Sequence, residues 1–498
     1  MSFGENIEQL IGSSTNGLHA CHHTWERVRI GEIAALVNGY AFKSSGFNDK
    51  EGTPIVRIRD VTKGVPGTYY HGPVDDPKMT FIENGQIAIG MDGDFNCRIW
   101  GGGQALLNQR VCSLTANEDF YSQKFLALAL PGYLKLINDH TSSITVKHLS
   151  SLTVRDIPVP LPPLNEQRRI VEKIETLFAR LDKGEEALRE VQRQLSTYRQ
   201  SVLKAAVTGQ LTADWRAQNA HRQEHGRDLL ERILQTRRET WEGRGKYKEP
   251  AALDTTDLSE LPEGWIWTSL GALISAGPQN GLYLPQSKYG SGTPILRIDD
   301  YQVDWLRPMS ELRLVAAEPD DCQKYGLHHG DFVVNRVNSV SHLGKTTLLP
   351  SEYEGALFES NMMRFSVGNL ISKEYLRLYL TSDLGRKKLI QNCKHAVNQA
   401  SINQGDVEAT PVPLPPYLEQ EEIVQRVSEE SSREIASLKT CQTELARSAA
   451  LRQSILKDAF AGRLVPQNPD DESASELLAR IQSDCPAKSK RSRRTQAA

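Results

Sequence analysis

Two stretches of the chain carry apolar residues at alternating steps of four and three. In the first, Ile170, Ile174, Leu177, Leu181, Leu188, Val191, Leu195, Tyr198, Val202 and Ala205 keep this spacing, interrupted where Gly184 takes a seam position. Such a seam predicts a coiled-coil helix of about five heptads. Pro162-Pro163 stops any earlier helix, Asn165 is placed to cap the new one, and Gly209 stands where a left-handed C-terminal residue is wanted. At 1.5 Å per residue, 165–206 makes a rod of roughly 60 Å. The second stretch, with Ile423, Val427, Leu451 and Ile455 on its seam, repeats the Pro-Pro and a glycine, Gly462. It has Leu418 in place of Asn165, and Glu430 and Glu434 in place of Leu177 and Leu181, so its first half is the weaker.

Elsewhere the pattern shortens. Runs such as Pro54 to Ile58, Gln86 to Gly90, Ile295 to Ile298 and Asp331 to Asn335 are β-branched and bounded by Gly, Asn and Asp, which predicts strands. Helical stretches follow at Ser122 to Ile137 and Lys373 to Gln391, each before a strand-like return into PVPLPP.

That hexapeptide exposes an internal repeat. PVPLPP at 158–163 recurs at 411–416, a displacement of 253, and the match runs on: EQRRIVEKI from Glu166 against EQEEIVQRV from Glu419, YRQSVLKAAVTGQL from Tyr198 against LRQSILKDAFAGRL from Leu451. Upstream, Trp25 matches Trp265 and GTPIVRIRD matches GTPILRIDD at a displacement of 240, so the second copy carries a net insertion of 13 residues. The chain reads A-B-A'-B'. Its parts are an extension, 1–24; a mixed α/β domain, 25–163; a long helix, 164–212; a polar helical linker, 213–260; a second mixed domain, 261–416; a second long helix, 417–465; and a C-terminal helix and basic tail, 466–498. RDLLERILQTRRE in the linker predicts a surface helix, which ASELLARIQ near the end echoes. The extension has no counterpart in the repeat and reads as a flexible lead or an added partner contact. The tail reads as disordered.

Composition removes several classes. With 59 Lys+Arg against 62 Asp+Glu the net charge is -3, so a case for nucleic acid rests on local arrangement. No apolar run reaches the ~18 residues of a membrane span and no basic-then-apolar leader opens the chain, which points to the cytoplasm. The seven cysteines are scattered and never spaced C-x-x-C, against a disulfide framework or a structural zinc site. The pairs His22-His23 and His328-His329 lack further ligands at helical spacing and read as solvated or packed histidines.

Three fragments imitate catalytic motifs, and each fails on chemistry. Leu414-Pro415-Pro416-Tyr417 resembles the N/D-P-P-Y loop of amino-methyltransferases, but Leu cannot accept a hydrogen bond from the base amine, and a helix start explains the segment. Gly344-Lys345-Thr346 ends like a phosphate loop, yet Ser339 and its neighbours stand where the earlier glycine belongs. Pro319-Asp320 lacks the acidic-x-Lys partner of a nuclease. No catalytic site is assigned.

Two unlike domains joined by two like helices form a device that fixes the distance between two recognition sites. Packed antiparallel, the helices give a pseudo-two-fold axis. Sites about one turn of B-DNA apart, 34 to 36 Å, lie on one face of the duplex. Unlike domains imply unlike half-sites and a gap set by the helices.

These same segments carry a resemblance. LPPLNEQRRIVEKIE and LPPYLEQEEIVQRVSE, each after a domain that opens near a Trp and holds GTPI-hydrophobic-R-I, together with LPEGWIW at Leu261 and AFAGRLVPQNPDDESASELLARI, are similar to the specificity subunits of type I restriction-modification systems. The resemblance spans nearly all of the chain from Trp25. It implies a protein that is no enzyme by itself: two target-recognition domains read double-stranded DNA, and the paired helices bind two modification subunits. Those subunits hold S-adenosylmethionine and methylate adenine. Restriction subunits add cleavage with ATP and Mg, and the chain itself binds no cofactor or metal. A gapped-site DNA-binding regulator, or an adaptor without such partners, is the alternative.

Base readout uses Arg, Lys, Asn, Gln, Ser or Thr on exposed loops. The first domain offers Lys43, Ser44, Arg57, Arg59, Lys63, Asn96, Arg98 and Gln104; the second offers Gln279, Asn280, Tyr283, Arg297, Arg336, Asn338, His342 and Lys345. Arg57 and Arg297 fall at matching repeat positions, which favours a shared packing or phosphate role over base reading. Lys345 reads as a phosphate contact.

Overall fold

The computed structural model describes residues 6–141, 146–219, 224–241, 246–302, 305–396 and 399–484. The basic tail from Cys485 onward lies outside them. The chain divides into two compact units, one made of 1–188 with 443–498 and the other of 189–442.

In the first unit, Glu26–Arg29 pairs antiparallel with Pro158–Leu161, so the proline-rich run is a buried strand. Prolines fit here because the pair has no third strand to demand their missing N–H. A four-stranded sheet orders Ala34–Asn38, Val111–Ala116, Ile87–Gly90 and Cys97–Ile99. A five-stranded sheet holds Thr53–Val56 parallel to Ala105–Leu107. Helix Gln123–Asp139, capped by the Ser122 hydroxyl, packs Phe125, Leu126 and Leu130 into the core. Chain ends complete that core: Ile7 and Ile11 of helix Ile7–Ser13, and Leu477 and Ile481 of helix Ala474–Asp484, are buried in it. The extension is therefore no free lead from residue 7 onward, and His19 is buried with its Nε2 3.0 Å from the Gly132 carbonyl. Three apolar residues on a seven-residue helix are too short a pattern to announce this.

The second unit repeats the plan. Ile266–Ser269 pairs with Pro411–Leu414, and a four-stranded sheet orders Ile274–Asn280, Met362–Val367, Phe332–Asn335 and Thr346–Leu348. Helix Gly226–Glu239 buries Leu229 and Ile233, as Ala474–Asp484 does in the first unit. The expected single helix after Lys373 is two, Lys373–Thr381 and Asp383–Leu389, because Ser382 ends one and its hydroxyl caps the next. The net insertion falls between the shared strands, its first part where helix Ile58–Lys63 of the first unit gives way to the hairpin Tyr301–Gln302/Trp305–Leu306. The displacement is 240 at Ile55/Ile295, 245 at Ile87/Phe332, 249 at Cys97/Thr346, 251 at Val111/Met362 and 253 at Pro158/Pro411.

Two helices of 44 residues, Leu164–Val207 and Tyr417–Phe460, each begin in one unit and end in the other. Gly209 and Gly462 end them at φ +75° and +70°. Asn165 lies inside the first turn rather than at the cap, and the Pro163 carbonyl accepts the Gln167 N–H. In each unit the helices run antiparallel. In the first, Arg452 reaches Asp182 at 2.6 Å and Glu185 at 3.1 Å while Ser448 donates to Glu185. In the second, the Tyr198 hydroxyl donates to Glu430 and Val202 shares a core with Ile423 and Val427. Burial along the seam is uneven. Ile170 and Ile174 are buried in the first unit's domain core, Leu177 and Leu181 lie against it, and Ile455 joins it. Leu195 is half-buried, whereas Tyr198 and Leu451, expected on the seam, are 50% and 47% exposed.

Candidate nucleic-acid interface

A Glu-Gln pair at the start of each long helix ties a recognition domain to that helix. Glu166 and Glu419 are buried, and each accepts the indole N–H of its own unit's tryptophan, Trp25 at 3.0 Å and Trp265 at 2.9 Å. Gln167 and Gln420 accept the N–H of the helix-capping serines, Ser122 at 2.8 Å and Ser372 at 2.9 Å, and donate back to Pro162 and Pro415. The repeated EQ motif is thus a clamp that sets each domain's attitude on its helix.

The two clamps differ in charge. Glu419 also accepts from Thr212 at 2.7 Å and pairs with Arg216 at 2.8 Å, while Glu166 takes the neutral Gln467 amide at 2.9 Å. Burial raises the Glu166 pKa, opposed by the Trp25 hydrogen bond and the Arg169 charge. A carboxyl whose folded pKa is raised contributes stability below its unfolded value that is lost as pH rises through the folded one. Glu166→Gln is therefore expected to cost under about 1 kcal/mol at pH 7, since an amide oxygen still serves Trp25. It should also flatten the pH dependence of stability above the unfolded carboxyl value of 4.5, read from urea midpoints.

The structure sorts the sixteen candidate DNA residues. In the first unit Arg59 and Lys63 sit on helix Ile58–Lys63, and Arg98 reaches over it to donate to the Thr62 carbonyl at 2.8 Å, so these three exposed cations share one patch. Lys43, Ser44 and Asn96 are exposed; Gln104 is turned to Glu83. Arg57 lies over the Phe47 ring at 5.3 Å and Arg297 over Tyr289 at 6.0 Å, with Arg297 also paired to Glu359 at 3.1 Å. Both pack their domains.

In the second unit Asn280, Tyr283 and His342 are exposed, Tyr283 at 77%. Gln279 is held between the Lys324 carbonyl and Arg364, Arg336 donates to the Ser360 carbonyl, and Asn338 accepts the Ser339 N–H. Lys345 is 8% exposed: its ammonium lies 4.6 Å from the Tyr301 ring centre and donates to the Ile298 carbonyl, and burial lowers its pKa. It is a structural cation and no phosphate contact. The reading of residue types on loops also passed over Gln391, Asn392, Lys394, His395 and Gln399. Strand Gln399–Ser401 pairs with Val337–Asn338 on one side and Lys394–Ala396 on the other, which joins Lys394, His395 and Gln399 to Asn338. The signal that could have found them is a run without acidic residues, 384–405.

Known proteins share this organisation. The family model for the type I restriction modification DNA specificity domain matches twice, at residues 22–191 and 262–447. The chain is 35% identical over 500 residues to the type I restriction enzyme EcoBI specificity subunit of Escherichia coli, covering 97% of each. It is 26% identical to the StySPI specificity subunit of Salmonella potsdam, over 92% of this chain and 95% of that one. A solved chain from a study of type I R-M complex assembly superposes with a TM-score of 0.60 at 20% identity, over 88% of this chain and 98% of that chain, which extends the likeness to the fold.

Proposed function

The chain belongs to the type I restriction-modification DNA specificity family, and from that membership we propose that it reads an asymmetric, two-part target in double-stranded DNA for a methylating and cleaving complex. The observation that carries this reading is one scaffold built twice, with its length differences between the shared strands and each copy clamped to a helix shared with the other unit. Such a scaffold holds two unlike readers and leaves the gap between half-sites to helix length.

In this reading the chain is non-catalytic. Two modification subunits dock on the paired helices and bring S-adenosylmethionine for adenine methylation; restriction subunits bring ATP and Mg. Flipping the adenine is the modification subunit's task. A groove of about 530 Å³ in the second unit supports docking on the helices, lined by Tyr198, Val202, Val427, Leu438 and the 66% exposed Ile435. Among the described residues no helix is long and apolar enough to cross a membrane.

Co-expression with a type I modification subunit, followed by mapping of N6-methyladenine across host DNA, tests the proposal. A gapped asymmetric motif that disappears when this chain is deleted is the expected result. No motif, with the partner expressed and folded, would favour the unpartnered regulator.

A further inference from the structure

Two stretches of the second unit carry no acidic residue although one residue in eight of the chain is acidic, and the exposed Asp383 borders one of them, four residues before Lys387. Two runs without Asp or Glu, 332–351 and 384–405, lie far apart in sequence and come together through the sheet Val337–Asn338, Gln399–Ser401, Lys394–Ala396. Arg386 locks them by donating to the carbonyls of Val340, Ser341 and Leu343. Gly344 permits the close fit: its φ is +70°, and a Cβ there would stand 2.6 Å from Ile390 Cγ2. Of the six cations in these runs, Arg336, Lys345 and Arg386 are held by backbone carbonyls. The other three, Lys387, Lys388 and Lys394, have no ion pair among the described residues; Lys387 and Lys394 are exposed, as are His395 on the strand of Lys394 and Gln399 on the strand paired with it.

The matching place in the first unit is built otherwise. There the bridge Asp92 to His148 replaces Val337 to Ser401, and the Asp92 carboxylate stands 2.6 Å from His148 and 3.4 Å from the Arg110 guanidinium. The positive face thus belongs to the second unit's own loops and not to the shared scaffold.

We propose that this face is where the second unit grips duplex DNA, with Lys387, Lys388 and Lys394 on phosphates and Gln399 on a base edge. The proposal rests on the DNA-reading function above. Unpaired lysines on a sheet-anchored surface suit phosphate neutralisation, which releases counterions and makes affinity fall with salt, by a log–log slope of about 0.9 per phosphate. Gln399, on the strand paired with that of Lys394, has the donor and acceptor that read adenine.

The test uses the full chain, alone and co-purified with the co-expressed partner subunits, and random-sequence 40-base-pair duplex at several NaCl concentrations. K387A/K388A/K394A is expected to bind at least tenfold more weakly at low salt, with a salt slope smaller by about 2 to 3. K246A/K248A, exposed lysines of the linker, should leave both unchanged. Melting temperatures equal to the parent's exclude misfolding, and single lysine variants replace the triple if it melts early. Q399A should keep the salt slope and relax one position of a single half-site in the methylation map. A triple variant with the parent's affinity and slope, or a linker variant with the same loss, overturns this inference and leaves the DNA-reading function standing. Absence of duplex binding by the parent in both preparations overturns the function with it.

Discussion

Glu419→Ala is expected to destabilise the second unit by about 3 to 5 kcal/mol, because it strands the Arg216 guanidinium, itself only 17% exposed, without a counter-charge. Three donors lose their acceptor at once: Trp265, Thr212 and Arg216. Arg216 also stacks 5.6 Å from the Trp265 ring, so the loss spreads to the contact that orients the domain. For a unit of this size the drop corresponds to roughly 10 °C in melting temperature. Glu166→Ala should cost about 1 to 3 kcal/mol, since its close donors, Trp25 and Gln467, are neutral. Adding Arg216→Met to Glu419→Ala should recover most of the loss, because removing both charges leaves none uncompensated. Calorimetry of the three variants checks the order; equal losses at Glu166 and Glu419 would refute the stranded-charge account.

One heptad added to a long helix is expected to change the gap of the target or abolish recognition while both half-sites stay the same. Seven residues lengthen a helix by about 10 Å, close to three base pairs at 3.4 Å each. The pairs of the first unit, Arg452 with Asp182 and Glu185, lie before Leu188 in one helix and after Gln442 in the other; those of the second, such as Tyr198 with Glu430, lie on the opposite sides. Matched insertions after Leu188 and after Gln442 therefore preserve each unit's own pairs and should give the longer gap. An insertion in one helix alone should lose recognition. Methylation mapping reads the result directly, and altered half-sites would show that the helices do more than space the readers.

The long helices were legible because their apolar period is sustained for many turns, and the glycines that end them occupy the positions their φ requires. The strands near Ile55, Ile87 and Ile295 were legible from β-branched residues between turns. The EQ motif was visible only as a match between copies. That its glutamate is buried under a tryptophan 141 residues upstream, or 154 in the second unit, depends on how the domain folds back. Lys345 failed as a surface residue for a similar reason: its residue type suits phosphate, but Tyr301 and the Ile298 carbonyl, more than forty positions earlier, take it inside.

The sequence by itself determined the doubled plan, the two long helices, the strands that return into PVPLPP, and the family to which the chain belongs, because periodicity and repetition are local or directly comparable along the chain. Tertiary structure alone decided three things. It placed helix Ala474–Asp484 with the first unit's core, where Gly226–Glu239 sits in the second. It chose which cations remain exposed. It joined the two acid-free runs into one face. Each is set by contacts between residues far apart in sequence, where the energy of burial depends on what covers a side chain and not on its neighbours in the chain.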